Sequence, residues 1–248
     1  MKIIPAFLPY AGCRSRCPYC NQHVSTGIKK VRTPEEVMTY LNKCKTTLTD
    51  EFQVAFYGGT FLALPRERIL QYAKAASASG ASSLRLSTTA SSINAALLTL
   101  IGEILPVSDI ELGLETISKD VNKFLCRDLD MNEFNKAADI IKALNISLHL
   151  HLMTGFPAEK PHDLLNTARF AVSLAPAGIR IHPLIVLKGT QMEEMFKKGK
   201  YSPLSLEEAA RSIAQVLPHF IKNNIPVTRF GLFPDEELVK KGSVIAGP

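Results

Sequence analysis

No stretch of this 248-residue chain is apolar for long enough to cross a membrane as a helix, and none is of low complexity or reads as a flexible linker. These absences exclude a helical membrane protein and a largely disordered one. Cysteine is scarce. The five present are an odd number with three in one loop, which argues against a disulfide framework and for a reduced, cytoplasmic location. A secretory leader is not expected either: the apolar start is short, carries one lysine and is broken by Pro5 and Pro9, so Tyr10-Ala11-Gly12-Cys13 is not read as a lipoprotein cleavage box. Charge of neither sign dominates. The net +6 includes Lys29-Lys30-Val31-Arg32, Lys197-Lys198-Gly199-Lys200 and Lys240-Lys241. Such a balance can steer an anionic partner, although short lysine groups read first as solvated helix ends and turns.

What is present is a 46% hydrophobic chain able to bury a large core, of a length that suits one α/β barrel or two small domains. Its most informative residues come first. Cys13-Arg14-Ser15-Arg16-Cys17-Pro18-Tyr19-Cys20 places three thiolates where they can fold around one 4Fe-4S cluster, leaving its fourth iron without a protein ligand. That iron would be open to a further molecule. Zinc is the competing reading, with His23 completing a Cys3His tetrahedron, but structural zinc sites draw their ligands as two separated pairs.

Strand and helix signals alternate along the rest. Ile3–Leu8, Gln53–Tyr57, Ser83–Thr88, Asp109–Leu114, Ile146–Met153 and Gly178–Leu187 read as strands. Thr33-Pro34-Glu35-Glu36 opens a helix, with a hydroxyl cap, proline in the first turn and acidic side chains at the positive dipole end. Val37, Leu41, Cys44 and Leu48 follow at helical spacing, which makes Cys44 a packing residue. Asp130 caps another helix with Phe134, Ala138 and Ile141 inward, and Ser205 with Glu208 forms a capping box ahead of Leu206, Ala209, Ile213, Val216 and Phe220. Six strands separated by helices imply parallel βα units, and in βα barrels the chemistry collects at the C-terminal strand ends.

The cysteine loop follows the first strand, and Phe56-Tyr57-Gly58-Gly59-Thr60-Phe61 ends the second. Together they resemble the radical S-adenosylmethionine (radical SAM) superfamily, whose signature is Cys-x3-Cys-x2-Cys with an aromatic before the last cysteine, here Tyr19. The resemblance extends through Glu111-Leu112-Gly113-Leu114-Glu115-Thr116, His151-Leu152-Met153-Thr154-Gly155-Phe156-Pro157, His182 through Thr190, and Tyr201-Ser202-Pro203-Leu204. It is nearest to the branch holding the Elongator catalytic subunit and related bacterial proteins, with oxygen-independent coproporphyrinogen oxidase more distant. The third strand departs from that pattern. Relatives follow it with Arg-Pro-Asp, whereas this chain reads Ser87-Thr88-Thr89-Ala90-Ser91-Ser92.

The resemblance implies an α/β fold, a partial (β/α)6 TIM-like barrel with a short C-terminal helix-strand extension, divided as a core at 1–190 and an extension at 191–248. The end at Ala246-Gly247-Pro248, where several bacterial relatives continue, is also what a truncated chain would show. It further implies that Cys13, Cys17 and Cys20 hold the cluster while S-adenosylmethionine chelates the fourth iron. Gly58, Gly59 and Thr60 would meet the methionine amino group, Tyr19 the adenine, and Ser87, Glu115 and Arg127 the ribose and carboxylate. Glu and Arg suit that ligand chemically, as acceptor and fork. His151, His182 and Lys188 are candidate substrate contacts; His149 reads at least as well as a satisfied interior histidine, and Cys126, which could face the pocket beside Arg127, reads first as packing. The implied reaction is reductive cleavage of S-adenosylmethionine to a 5′-deoxyadenosyl radical that abstracts hydrogen, from a tRNA base in the Elongator-like reading, with a flavodoxin or ferredoxin as electron donor. The alternatives are a radical enzyme acting on a small anionic metabolite or tetrapyrrole, and a noncatalytic metal protein.

Overall fold

The computed structural model describes residues 1–45, 51–232, 236–240 and 242–248. Leu48 and Lys241 lie outside them. In chain order the elements are β1 (Lys2–Phe7), α1 (Gln22–Thr26), α2 (Pro34–Lys45), β2 (Phe52–Tyr57), α3 (Arg66–Ala78), β3 (Ser83–Thr88), α4 (Ala95–Gly102), β4 (Val107–Glu115), α5 (Lys119–Phe124) and α6 (Met131–Ala143). They continue with β5 (Ser147–Thr154), α7 (Asp163–Ser173), β6 (Gly178–Pro183), β7 (Val186–Leu187), α8 (Gln191–Lys197), α9 (Leu206–Lys222), β8 (Val227–Phe230), α10 (Glu236–Val239) and β9 (Val244–Ala246). Two compact units result, one of residues 1–14, 28–112 and 132–148, the other of 15–27, 113–131 and 149–248.

In the first unit β1, β2, β3 and β4 pair in parallel, joined by helical crossovers as parallel neighbours require. Val54, Phe56, Leu84, Leu86, Ile110 and Leu112 are buried at alternate positions, so one face of each strand is apolar. Helix α2 buries Val37 and Leu41, and the Thr33 hydroxyl accepts from the Glu36 amide (3.2 Å) while Glu36 returns a bond to the Thr33 amide (2.9 Å). Cys44 is half-buried beside Tyr40, whose phenol is pushed up to about 12 by burial and by that thiol. Helix α6 turns Phe134, Ala138 and Ile141 inward as expected.

In the second unit β5, β6 and β8 are parallel neighbours, while β7 and β9 make a small antiparallel pair. One correction follows. Gly178–Leu187 is not one strand: it stops at Pro183, the Leu184 amide bonds the Thr154 carbonyl (2.8 Å), and Val186–Leu187 pairs with the C-terminal β9 instead. The C-terminal helix and strand are α9, which runs for 17 residues from a complete Ser205–Glu208 capping box, and β8, which joins β6 in the parallel sheet. Among the described residues no helix is long and apolar enough to cross a membrane.

Candidate active site

The first unit holds Cys13 against the glycine turn of β2. Phe56 and Phe61, on either side of Tyr57-Gly58-Gly59-Thr60, stack at 4.6 Å between ring centroids and close the base of the turn, with Tyr72 packed on both. The turn then meets the start of the cysteine loop, backbone to backbone. The Thr60 amide donates to the Ala11 carbonyl (2.8 Å), and a Cβ at Gly59 would fall on that oxygen and 2.6 Å from the Ala11 nitrogen. Gly12, at φ +76°, approaches from the other side, where a Cβ would fall on the Thr60 carbonyl oxygen. Only glycine allows both approaches. They bring the Cys13 sulfur to 3.7 Å from the Thr60 hydroxyl. Ser87 lies on β3 in register with Glu111, and the Thr89 hydroxyl ties the following turn to Ser91 and Ser92 at 3.2 and 3.1 Å.

That unit also carries charges the sequence reading did not single out. Arg85 on β3 donates to Glu111 (2.7 Å), Asp109 (2.8 Å) and Gln53 (3.1 Å), and the Tyr57 hydroxyl donates to the same Glu111 oxygen at 3.0 Å. Glu111 is fully buried, so Arg85 is what makes its charge tolerable. The pair fixes Tyr57, the residue before Gly58.

The second unit holds Cys17, Tyr19, Cys20, Glu115 and Arg127. The Cys20 amide bonds the Cys17 carbonyl (3.0 Å), forming a tight turn that presents Tyr19. Tyr19 meets Phe156 at 5.8 Å between ring centroids, and its phenol is pushed well above the ordinary range by burial and then by the Glu115 carboxylate. Asn21 ends the turn. Its carboxamide oxygen caps α1 at the Val24 amide (3.2 Å) and its nitrogen donates to the Lys188 carbonyl (2.7 Å). From α8, the Met192 amide donates to the Pro18 carbonyl at 3.2 Å, bracing the loop from behind.

Glu115 ends β4 at φ +52° and pairs with Arg127, whose guanidinium also donates to the Gly113 carbonyl at 2.7 Å. A Cβ at Gly113 would sit 2.5 Å from the Glu115 carboxylate, so that glycine makes room for the acid. Burial works against the Arg127 charge, but Glu115, with Tyr19 and Cys17, outweighs it and holds the guanidinium above its ordinary pKa. Cys126 is exposed at φ +53°, which corrects its reading as a packing residue.

The donor set suits the cofactors the sequence points to. Cys13, Cys17 and Cys20 are partly buried thiols outside any disulfide, and the glycine turn keeps side-chain bulk away from the backbone beside Cys13. Among the described residues no three His, Cys, Asp or Glu side chains already stand as a metal-binding group, so the ligand set rests on donor chemistry and spacing. His151 and His182 face each other on β5 and β6 with ring centroids 5.7 Å apart. Lys188 is not on β6: it follows β7, exposed. The lysine-rich stretches are partly neutralised locally, with Lys30 on Glu36 (2.7 Å), Lys197 on Glu193 (2.7 Å) and Lys198 on Glu194 (3.7 Å).

Comparison with known proteins gives the same reading. Residues 7–171 match the radical SAM superfamily and residues 176–248 the radical SAM C-terminal domain. An uncharacterized protein of Methanocaldococcus jannaschii is 24% identical over 209 residues, 82% of this chain and 65% of its own length. The tRNA uridine(34) acetyltransferase of the same organism is 27% identical over 121 residues, 46% of this chain and 22% of that protein. Among solved structures, Elp3 of Methanocaldococcus infernus superposes with a TM-score of 0.67 at 18% identity, covering 99% of this chain and 59% of that one. Coproporphyrinogen III oxidase of Escherichia coli gives 0.66 at 14% identity, covering 90% and 52%. The chain therefore spans at most about two thirds of these relatives. The structural likenesses show the fold, an α/β partial barrel of the TIM-like kind. With the superfamily match running from the end of β1 into α7, well over half of the chain, this protein belongs to the radical SAM superfamily, a family of enzymes that bind a 4Fe-4S cluster and S-adenosylmethionine.

Proposed function

We propose that the protein cleaves S-adenosylmethionine reductively at a 4Fe-4S cluster held by Cys13, Cys17 and Cys20, and begins its chemistry by hydrogen abstraction. The observation that carries this reading is the backbone contact between Gly12 and Thr60 and between Gly59 and Ala11, which puts Cys13 beside the Gly58-Gly59-Thr60 turn. When bound, the reduced cluster and S-adenosylmethionine supply a 5′-deoxyadenosyl radical; the protein's part is orientation and exclusion of water. The turn offers its backbone to the methionine amino group. Tyr19, kept protonated by burial, lies with Phe156 as an apolar wall for adenine. Arg127 and Glu115 present a fork and an acceptor to the ligand's carboxylate and ribose hydroxyls.

The electron comes from a flavodoxin- or ferredoxin-type donor, and the substrate is a tRNA base. The match to tRNA uridine(34) acetyltransferases and the +6 net charge support RNA; the shared part is too small to carry acetyl transfer with it. In an anaerobically reconstituted, reduced sample, S-adenosylmethionine should change the electron paramagnetic resonance spectrum of the cluster, and tRNA should be retained on a filter with salt-dependent affinity. An unchanged spectrum with the cluster intact removes the S-adenosylmethionine site, and salt-independent or absent retention removes the RNA substrate.

A further inference from the structure

Three neighbouring strands of the second unit carry a row of basic side chains on the face their apolar residues leave free. On β5 buried Leu150 and Leu152 alternate with half-buried His149, His151 and Met153, and on β6 buried Ile179 and Ile181 alternate with half-buried Arg180 and His182. The register sets His151 beside Arg180, and Met153 beside His182 one step nearer the C-terminal strand ends. Between β6 and β8 the register shifts. Ile179 faces Val227, but Arg180 faces Arg229, so Thr228 is skipped and a second arginine takes its place in the row. Re-aiming a side chain in this way is what a β-bulge does beside a functional site.

Two guanidinium groups next to each other on one sheet face offer paired forks whose geometry matches a doubly accepting oxyanion. Above them, Nδ1 of His182 is buried without a hydrogen-bond partner. Burial, followed by the charges of His151, Arg180 and Arg229, lowers His182 to about 3, so the imidazole is neutral and has one nitrogen free to accept. The geometry points to an oxyanion subsite in which Arg180 and Arg229 bind a phosphate or carboxylate of the substrate while His182 Nδ1 accepts from an adjacent hydroxyl or amino group. Both arginines also interact within the protein, so the ligand joins an existing set. The assignment rests on the radical-enzyme reading only in calling this ligand the substrate.

Inorganic phosphate and succinate are titrated calorimetrically into the reconstituted protein carrying S-adenosylmethionine. Saturable binding of at least one is expected, weakened about tenfold or more by Arg180→Gln and by Arg229→Gln, and less by Arg180→Lys, which keeps the charge and loses the fork. Lys142→Gln, on the exposed side of α6, is the charge control and should bind as wild type. A tRNA arm separates the sources. If tRNA competes with phosphate and loses affinity in the same variants, the oxyanion belongs to RNA; if tRNA is indifferent, it belongs to a free metabolite, and either result supports the subsite. Anion binding that survives both substitutions overturns it, as does absence of anion binding together with tRNA affinity unchanged by them. Deoxyadenosine release by the wild-type protein is measured separately, so that a failed radical reading is distinguishable from a failed subsite.

Discussion

Replacing Gly59 by alanine tests the joint between the glycine turn and the cysteine loop. The new Cβ would fall on the Ala11 carbonyl oxygen, 2.6 Å from its nitrogen and 2.8 Å from its carbon, all backbone atoms that no rotamer change can remove. The Ala11 backbone must retreat by roughly 1.5 Å to restore ordinary contact distances. Overpacking of this kind costs about 1–3 kcal/mol. Losing the 2.8 Å bond from the Thr60 amide to Ala11 adds about 1 kcal/mol, for a total of about 2–4 kcal/mol. With a urea slope of about 2–3 kcal/mol per molar, the unfolding midpoint should fall by about 1 M or more. Gly102, at the end of α4, has nothing within 4 Å of its Cβ position, so Gly102→Ala should hold or raise the midpoint by up to about 1 kcal/mol of stability. Iron loading should fall in Gly59→Ala and not in Gly102→Ala, because the first displaces Cys13 from Thr60. A Gly59→Ala protein that unfolds where the wild type does and loads iron equally would refute the reasoning.

Further outcomes follow from the same geometry. Cys17→Ala should lose its cluster absorbance and bound iron while Cys44→Ala and Cys126→Ala keep both; iron that persists in Cys17→Ala makes the ligand assignment wrong. Because His182 is depressed to about 3 from an unfolded value near 6.5, the neutral ring's contribution is fully present above about pH 6.5 and is lost as pH falls toward 3. The unfolding free energy should drop across that window by up to about 1.4 kcal/mol per pH unit, and His182→Asn should flatten the drop; an unchanged slope contradicts it. Asn21→Ala removes the α1 cap and the tie to Lys188, about 1 kcal/mol each, and should speed cluster loss to a chelator, whereas Asn21→Asp keeps the cap and loses only the tie. Equal loss rates in wild type and Asn21→Ala would mean the brace is idle.

Local chemistry was legible in the chain, and long-range register was not. Thr33 with Glu36 and Ser205 with Glu208 declare their helices through bonds three residues apart, and the structure contains both. Strand alternation likewise placed Ser83–Thr88 without error. The run from Gly178 to Leu187 reads as one strand because its side chains suit one, yet Pro183 supplies no amide hydrogen to continue a ladder and the next residues pair elsewhere. The Arg180–Arg229 row depends on a shift between strands nearly fifty residues apart, which no local pattern announces. Alternation from His182 does lead back to Arg180, a signal that attention to histidine alone passed over. Gly12 was invisible for a similar reason: its need for φ +76° arises from Thr60, far along the chain. Glu115 and Arg127 were named through resemblance alone; that they pair with each other, with Arg127 donating to the Gly113 carbonyl, is a contact across a turn that no local pattern announces.

The central claim is tested most directly by anaerobic reconstitution, reduction and quantification of products from S-adenosylmethionine. The structure leads us to expect release of 5′-deoxyadenosine and methionine that depends on reductant and on Cys13, Cys17 and Cys20. An intact 4Fe-4S cluster that binds S-adenosylmethionine, accepts an electron and releases no 5′-deoxyadenosine would contradict it.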